Sequence, residues 1–118
     1  MNKVAVYGSL RQRMGNHRLL TNSTFLGTTV VEGWDMYDLG AFPAIVHGEL
    51  PLTVEVYEVT DAVFASLDRL EGFPSFYDRS SIPTEYGQAW IYHFHEAPNA
   101  PQVYSGDWVA YRSQQGHY

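Results

Sequence analysis

Between Leu52 and Pro74 the hydrophobic pattern changes its period, and that change constrains the fold class more than any other feature of the chain. Leu52, Val54 and Val56 alternate with Thr53, Glu55 and Tyr57, the period-two signature of a strand. From Asp61 to Glu71 the apolar positions Val63, Phe64, Leu67 and Leu70 share one helical face instead. Thr60 or Asp61 can cap the start of that helix. Gly72 stands where a C-terminal cap is needed, and Pro74 follows just beyond.

The remaining segments read mostly as strands. Residues 4–7 form a short β-branched and aromatic run ended by Gly8 and Ser9. Asn16 is placed to cap a short helix carrying Leu19 and Leu20. Residues 25–37 are rich in β-branched side chains, with Gly27 and Gly33 as bulges or bends. Residues 41–46 read as an edge strand or as a strand entering from a loop, because Pro43 cannot donate to a ladder. Residues 77–83 and 88–95 read as two strands joined at Glu85-Tyr86-Gly87, and residues 108–111 as a last strand after the Gly106-Asp107 turn. With one firm helix and one short one, the class is α+β with an antiparallel or mixed sheet.

The length of 118 residues fits one domain, 1–118, and 45% hydrophobic residues supply a sizeable core. Nine Tyr, six Phe and three Trp suit the interior of a small barrel or sheet-rich fold. The net charge is −6, with Lys3 the only lysine and no basic cluster beyond Arg11 and Arg13. That balance argues against nucleic acid and against an acidic membrane surface as partners. The absence of cysteine removes disulfides, thiolate metal sites and cysteine nucleophiles. The apolar run at the N-terminus is too short for a signal segment, so a cytoplasmic location is expected.

Three constellations carry candidate chemistry. In Val4-Ala5-Val6-Tyr7-Gly8-Ser9-Leu10-Arg11, a glycine directly after a strand can form a small concave anion site of backbone N–H groups, or an ordinary tight turn. Ser9 lacks the second glycine of a nucleophile elbow, since Arg11 stands there. In Leu67-Asp68-Arg69-Leu70-Glu71-Gly72-Phe73-Pro74, Glu71 ends the helix, where the macrodipole disfavours negative charge. Burial near Phe73 and Phe76 would add to that, and both effects raise the pKa toward the range useful for proton transfer. The plainer alternative is a solvated glutamate tied to Arg69 or Arg79. In residues 90–95, alternation puts Trp90, Tyr92 and Phe94 on a core face, with Ile91, His93 and His95 opposite. His93 and His95 have metal-ligand spacing, with His47 or Glu49 as a third ligand. Such a pair is more often a polar, solvent-facing sheet face, so no metal is expected.

Together, Tyr7-Gly8-Ser9-Leu10-Arg11, the glutamate segment with Tyr77-x-Arg79, and Gly106-Asp107-Trp108 resemble the γ-glutamylcyclotransferase-like family. The likeness runs in order over nearly the whole chain, and Asn16 and the Phe42-Pro43-Ala44 turn fit it too. It implies a small mixed β-barrel flanked by helices, with a cavity between the first turn and the end of the helix. It implies no metal or cofactor and release of 5-oxoproline from a small γ-glutamyl amine or γ-glutamyl amino acid. By the same likeness, backbone groups of Tyr7, Gly8, Ser9 and Leu10 hold the γ-glutamyl end and Glu71 is the general acid/base. Tyr92 would present its hydroxyl to the cavity. One departure is Val54, where many relatives carry glycine, and it is expected to narrow the cavity or shift the strand. The rival reading is a non-catalytic binder of a small metabolite or peptide end in the same cavity.

Overall fold

Six strands form one mixed sheet in a computed structural model of the chain, which describes residues 1–115. Residues 116–118, the end of the span read as one domain, lie outside the described residues. In chain order the elements are β1 (Asn2–Val6), a 3₁₀ turn (His17–Leu20), β2 (Thr24–Asp38), β3 (Pro43–Val59), α1 (Asp61–Glu71), β4 (Asp78–Thr84), β5 (Gly87–His93), β6 (Gln102–Val103) and α2 (Trp108–Gln115). The strands lie in the order β4-β5-β1-β3-β2-β6 and curl into a half-barrel. Only β1 and β5 run parallel; every other neighbouring pair is antiparallel. This is the expected α+β class with a mixed sheet.

The long β2–β3 hairpin dominates the sheet. Its register shifts between Phe25 and Gly27 and between Glu32 and Trp34, so both glycines mark the irregularities expected of them. Of the two readings of residues 41–46, the edge strand is overturned, while a strand entering from a loop is what begins at Pro43. It merges with the next run into the continuous strand β3, which lies between β1 and β2. Pro43 is tolerated because it is the first residue of that strand.

Both faces of the sheet are covered. Ala5, Val54, Val56 and Ile91 pack on one side with Trp108 of α2. Val4, Val6, Tyr57 and Tyr92 pack on the other with Leu67 of α1, Leu10 and Leu20. A strand buried on both faces need not alternate between apolar and polar. That explains why Glu55 and Tyr57, the polar half of the alternation, are also buried.

Two further expectations change. Residues 108–111 belong to helix α2 rather than to a strand. The Asp107 carboxylate accepts from Ala110 N at 3.2 Å, as an N-terminal cap does, and Tyr111 N bonds Asp107 O at 2.9 Å. The β-forming side chains Trp108, Val109 and Tyr111 outweighed that cap in the local pattern. The short segment after Asn16 is a 3₁₀ turn, and the Asn16 side chain does not cap it.

Candidate functional site

Helix α1 is built as its sequence implies and delivers Glu71 to one place. The Thr60 hydroxyl accepts from Val63 N at 3.1 Å, closing the N-terminus. At the other end Gly72 adopts a left-handed φ of 65°, and Phe73 N reaches back to Asp68 O at 2.9 Å. The chain then folds over the helix end, with Phe76 N on Gly72 O at 2.8 Å and Tyr77 N on Glu71 O at 3.2 Å. Glu71 is thus clamped by backbone on both sides while its side chain faces a cavity.

That cavity has a volume of about 270 Å³, just below the ~300–1,000 Å³ usual for drug-sized ligands. Tyr7, Gly8, Ser9 and Leu10 line it together with Glu71 and Tyr92, so six residues singled out in the sequence meet here. Asn16, Pro43 and Tyr77 complete its wall, with Ala5, Val6, Ala41, Phe42, Leu70 and Phe76.

Internal hydrogen bonds hold the cavity in shape. Tyr7 Oη donates to Tyr92 O at 2.8 Å, and Tyr77 Oη to Pro43 O at 2.7 Å. Tyr92 Oη donates to Asp68 Oδ1 at 2.7 Å, which is the partner its inward hydroxyl needs. The first turn closes through Arg11 N on Gly8 O at 3.0 Å. Asn16 secures it with its N–H on Ser9 O at 2.9 Å and its side-chain amide on Ser9 Oγ at 3.0 Å. The N–H groups of Ser9 and Leu10 have no partner among the described residues, which leaves two donors for a ligand.

Burial raises the Glu71 carboxyl from the ordinary range to about 7. Among the described residues no ion pair offsets that effect. Arg79 is engaged by Asp68 at 3.0 Å and lies over the rings of Phe64, Phe73 and Trp90. Arg69 donates to Ser66 Oγ at 3.1 Å. Neither arginine therefore holds Glu71, and the solvated, arginine-tied alternative falls away. Burial also keeps the phenols of Tyr77 and Tyr92 well above their usual range, helped by Glu71 at Tyr77 and chiefly by the Asp68 hydrogen bond at Tyr92, so they stay neutral as donors.

The histidine reading is corrected in part. His93 does not face solvent: it is 1% exposed, because the second face of β5 is covered as well. Its Nε2 meets Ser80 Oγ at 2.7 Å and its Nδ1 meets Phe94 O at 3.0 Å, so both ring nitrogens are occupied. His95 pairs with Asp78 at 2.9 Å. Among the described residues no cluster of three His, Cys, Asp or Glu side chains is arranged for a metal. Val54 is fully buried in the other core cluster and does not line the cavity.

Sequence reasoning gave Phe76 a part only in burying Glu71 and Leu70 a place only on the apolar helix face, and it did not place Ala41, Phe42, Pro43 or Tyr77 at the cavity. The Phe42-Pro43-Ala44 turn and Tyr77-x-Arg79 were the available signals, but neither says which way a ring points. A buried network beneath the first turn was also missed. Glu55 accepts from Arg11 Nε, Gln12 N and Tyr57 Oη, each at 2.9 Å, and Arg11 Nη1 reaches Asp107 at 2.8 Å.

The family model described as Gamma-glutamyl cyclotransferase, AIG2-like matches residues 4–110. The Gamma-glutamylcyclotransferase family protein YtfP of Escherichia coli strain K12 is 36% identical over 108 residues, covering 91% of this chain and 96% of that protein. Among solved structures, the uncharacterized protein PH0828 from Pyrococcus horikoshii superposes with a TM-score of 0.87 at 29% identity, covering 100% of both chains. An AIG2-like protein from Mus musculus superposes with a TM-score of 0.75 at 25% identity, over 92% of this chain and 88% of that one.

Proposed function

The chain belongs to the γ-glutamyl cyclotransferase, AIG2-like family, and from that membership we propose that it releases 5-oxoproline from a small γ-glutamyl amide. Backbone donors of the Gly8–Leu10 turn hold the glutamyl carboxylate. The Glu71 carboxylate takes a proton from the substrate's α-ammonium group. The freed amine attacks its own γ-carbonyl carbon and closes a five-membered lactam. The bond from that carbon to the leaving nitrogen breaks as Glu71 returns its proton there, and the ring nitrogen passes its second proton through the regenerated carboxylate to the freed amine, which departs as an ammonium ion. No water is consumed, and the nucleophile belongs to the substrate. The protein supplies a folded substrate pose and one proton carrier.

The observation that carries this reading is a half-buried carboxyl, raised by desolvation and without an ion-pair partner among the described residues, in a cavity that Ser9 and Leu10 also line. Glu71→Gln keeps the shape of the side chain but cannot accept the proton. It should fold normally, bind γ-glutamyl amides, and release 5-oxoproline about 10²–10⁴-fold more slowly. Glu71→Asp withdraws the carboxyl by one methylene and should lose about a hundredfold. The checks are 5-oxoproline release and, as a folding control, the melting temperature. Normal turnover by the Gln variant would remove Glu71 from the chemistry. Wild-type binding without any 5-oxoproline would favour a binder.

A further inference from the structure

We infer that the rim formed by Phe42, Leu70 and Phe76 is the leaving-group subsite, and that it selects γ-glutamyl amides whose amine portion is apolar and carries no carboxylate. The inference rests on the cyclotransferase reading of the same cavity. In that reading the two ends of the substrate are fixed in order. The glutamyl end lies against the Gly8–Leu10 turn, and the leaving nitrogen must sit beside the Glu71 carboxyl to receive its proton.

The surface adjoining Glu71 is apolar. Leu70 precedes it in the chain and is 42% exposed, and Phe76 is 54% exposed. Both border the cavity, as Phe42 does. The ring of Phe76 is not loose: its N–H is bound to Gly72 O at 2.8 Å. It meets Phe42 edge to face at 6.1 Å and Phe94 at 5.2 Å. A large ring held on an anchored backbone with half its surface in water offers apolar area to a ligand at little ordering cost.

The charges agree with this. Among the described residues Glu71 is the only Asp, Glu, Lys, Arg or His side chain lining the cavity. Arg79 is paired with Asp68 and caged by rings, and Arg11 is paired with Glu55 and Asp107. Arg112 reaches the Gly40 carbonyl near the rim, but it lies over the Trp108 ring and does not line the cavity. A carboxylate on the leaving amine would therefore meet no cation on the cavity lining, one half-buried glutamate and a net charge of −6.

Three probes separate the terms. γ-Glutamyl-phenethylamine carries the ring alone, γ-glutamyl-phenylalanine adds one carboxylate to it, and γ-glutamyl-ethylamine lacks the ring. Calorimetric binding to Glu71→Gln and 5-oxoproline release by wild type are both measured. The phenethyl compound should bind at least about tenfold tighter than either of the others. Phe76→Ala should shrink the phenethyl-to-ethyl ratio, and Leu70→Arg or Phe76→Arg should improve the phenylalanine compound relative to the phenethyl one. Equal or tighter binding of the phenylalanine compound overturns the subsite, as does a phenethyl-to-ethyl ratio indifferent to Phe76→Ala. If the binding order holds but no probe yields 5-oxoproline, the subsite stands and the proposed activity falls. If all three turn over equally well, the activity stands and the subsite falls. Failure of every probe to bind overturns both.

Discussion

Glu71 couples activity to stability through a single proton. Its pKa rises from 4.5 in a solvated chain to about 7 in the cavity, because burial disfavours the charged form. Between those values the folded protein holds a proton that the unfolded chain has lost. Stability therefore falls as pH rises through this window, and the penalty is absent below about pH 4.5. Glu71→Gln should thus be more stable than wild type at pH 8, by roughly 1–3 kcal/mol, and no more stable at pH 4. Urea titrations at the two pH values test the sign. The activity limb runs the other way: kcat/KM should rise with pH through about 7 as the base ionises, and Glu71→Gln should lose that limb. A second buried carboxylate behaves differently. Glu55 is 4% exposed and tied to Arg11, so Arg11→Met strands a buried charge and should cost about 3–5 kcal/mol. The double variant with Glu55→Leu should cost less than the sum of the two single changes, which a double-mutant cycle reads directly.

The elements around the cavity differ in how their substitutions should act. α1 is stabilised at its two caps, so Thr60→Ala should cost about 1 kcal/mol. Gly72→Ala should cost about as much or more, because its φ of +65° strains any residue with a Cβ. Both losses should appear in the melting temperature. The first turn is governed by contact rather than by strain. A Cβ on Gly8 would lie 2.7 Å from both Cγ and Cδ of Pro43, at the start of β3. Gly8→Ala must therefore push the turn and β3 apart, and both form the cavity wall. Its expected signature is a raised KM for γ-glutamyl amides that exceeds what the change in melting temperature explains.

At the level of the fold, the cavity exists because the sheet carries covers on both sides. It takes residues from the first turn, from the start of β3, from the turn after α1 and from β5, and their separation in the chain reaches 85 residues at the Tyr7–Tyr92 hydrogen bond. Two buried clusters keep these segments in register. Activity is expected to survive exhaustive chelation, since the proposed reaction needs no Lewis acid and both nitrogens of His93 are already engaged. Activity lost to chelator and restored by one divalent ion would replace this mechanism with a metal-assisted one.

Local chemistry alone marked much of this protein. The α1 bounds, its Thr60 and Gly72 caps, the bulged glycines of β2 and the turn between β4 and β5 all follow from short-range pattern. They are legible because capping, left-handed φ and hairpin closure involve residues a few positions apart. The resemblance of three short motifs picked out Tyr7, Gly8, Ser9, Leu10, Glu71 and Tyr92, and these do line one cavity. The continuity of β3, the burial of His93 and the helical state of Trp108–Gln115 were not legible in this way. The burial of His93 depends on a second cover that alternation cannot report, the continuity of β3 on pairing with distant strands, and the helix on an Asp107 cap that β-forming side chains outweighed. The same limit applies to the rim. Phe42 reads as an ordinary aromatic residue, and Phe76 only as cover for Glu71, until the turn after α1 and the start of β3 are brought together, because the direction of a side chain is decided by packing between segments distant in the chain.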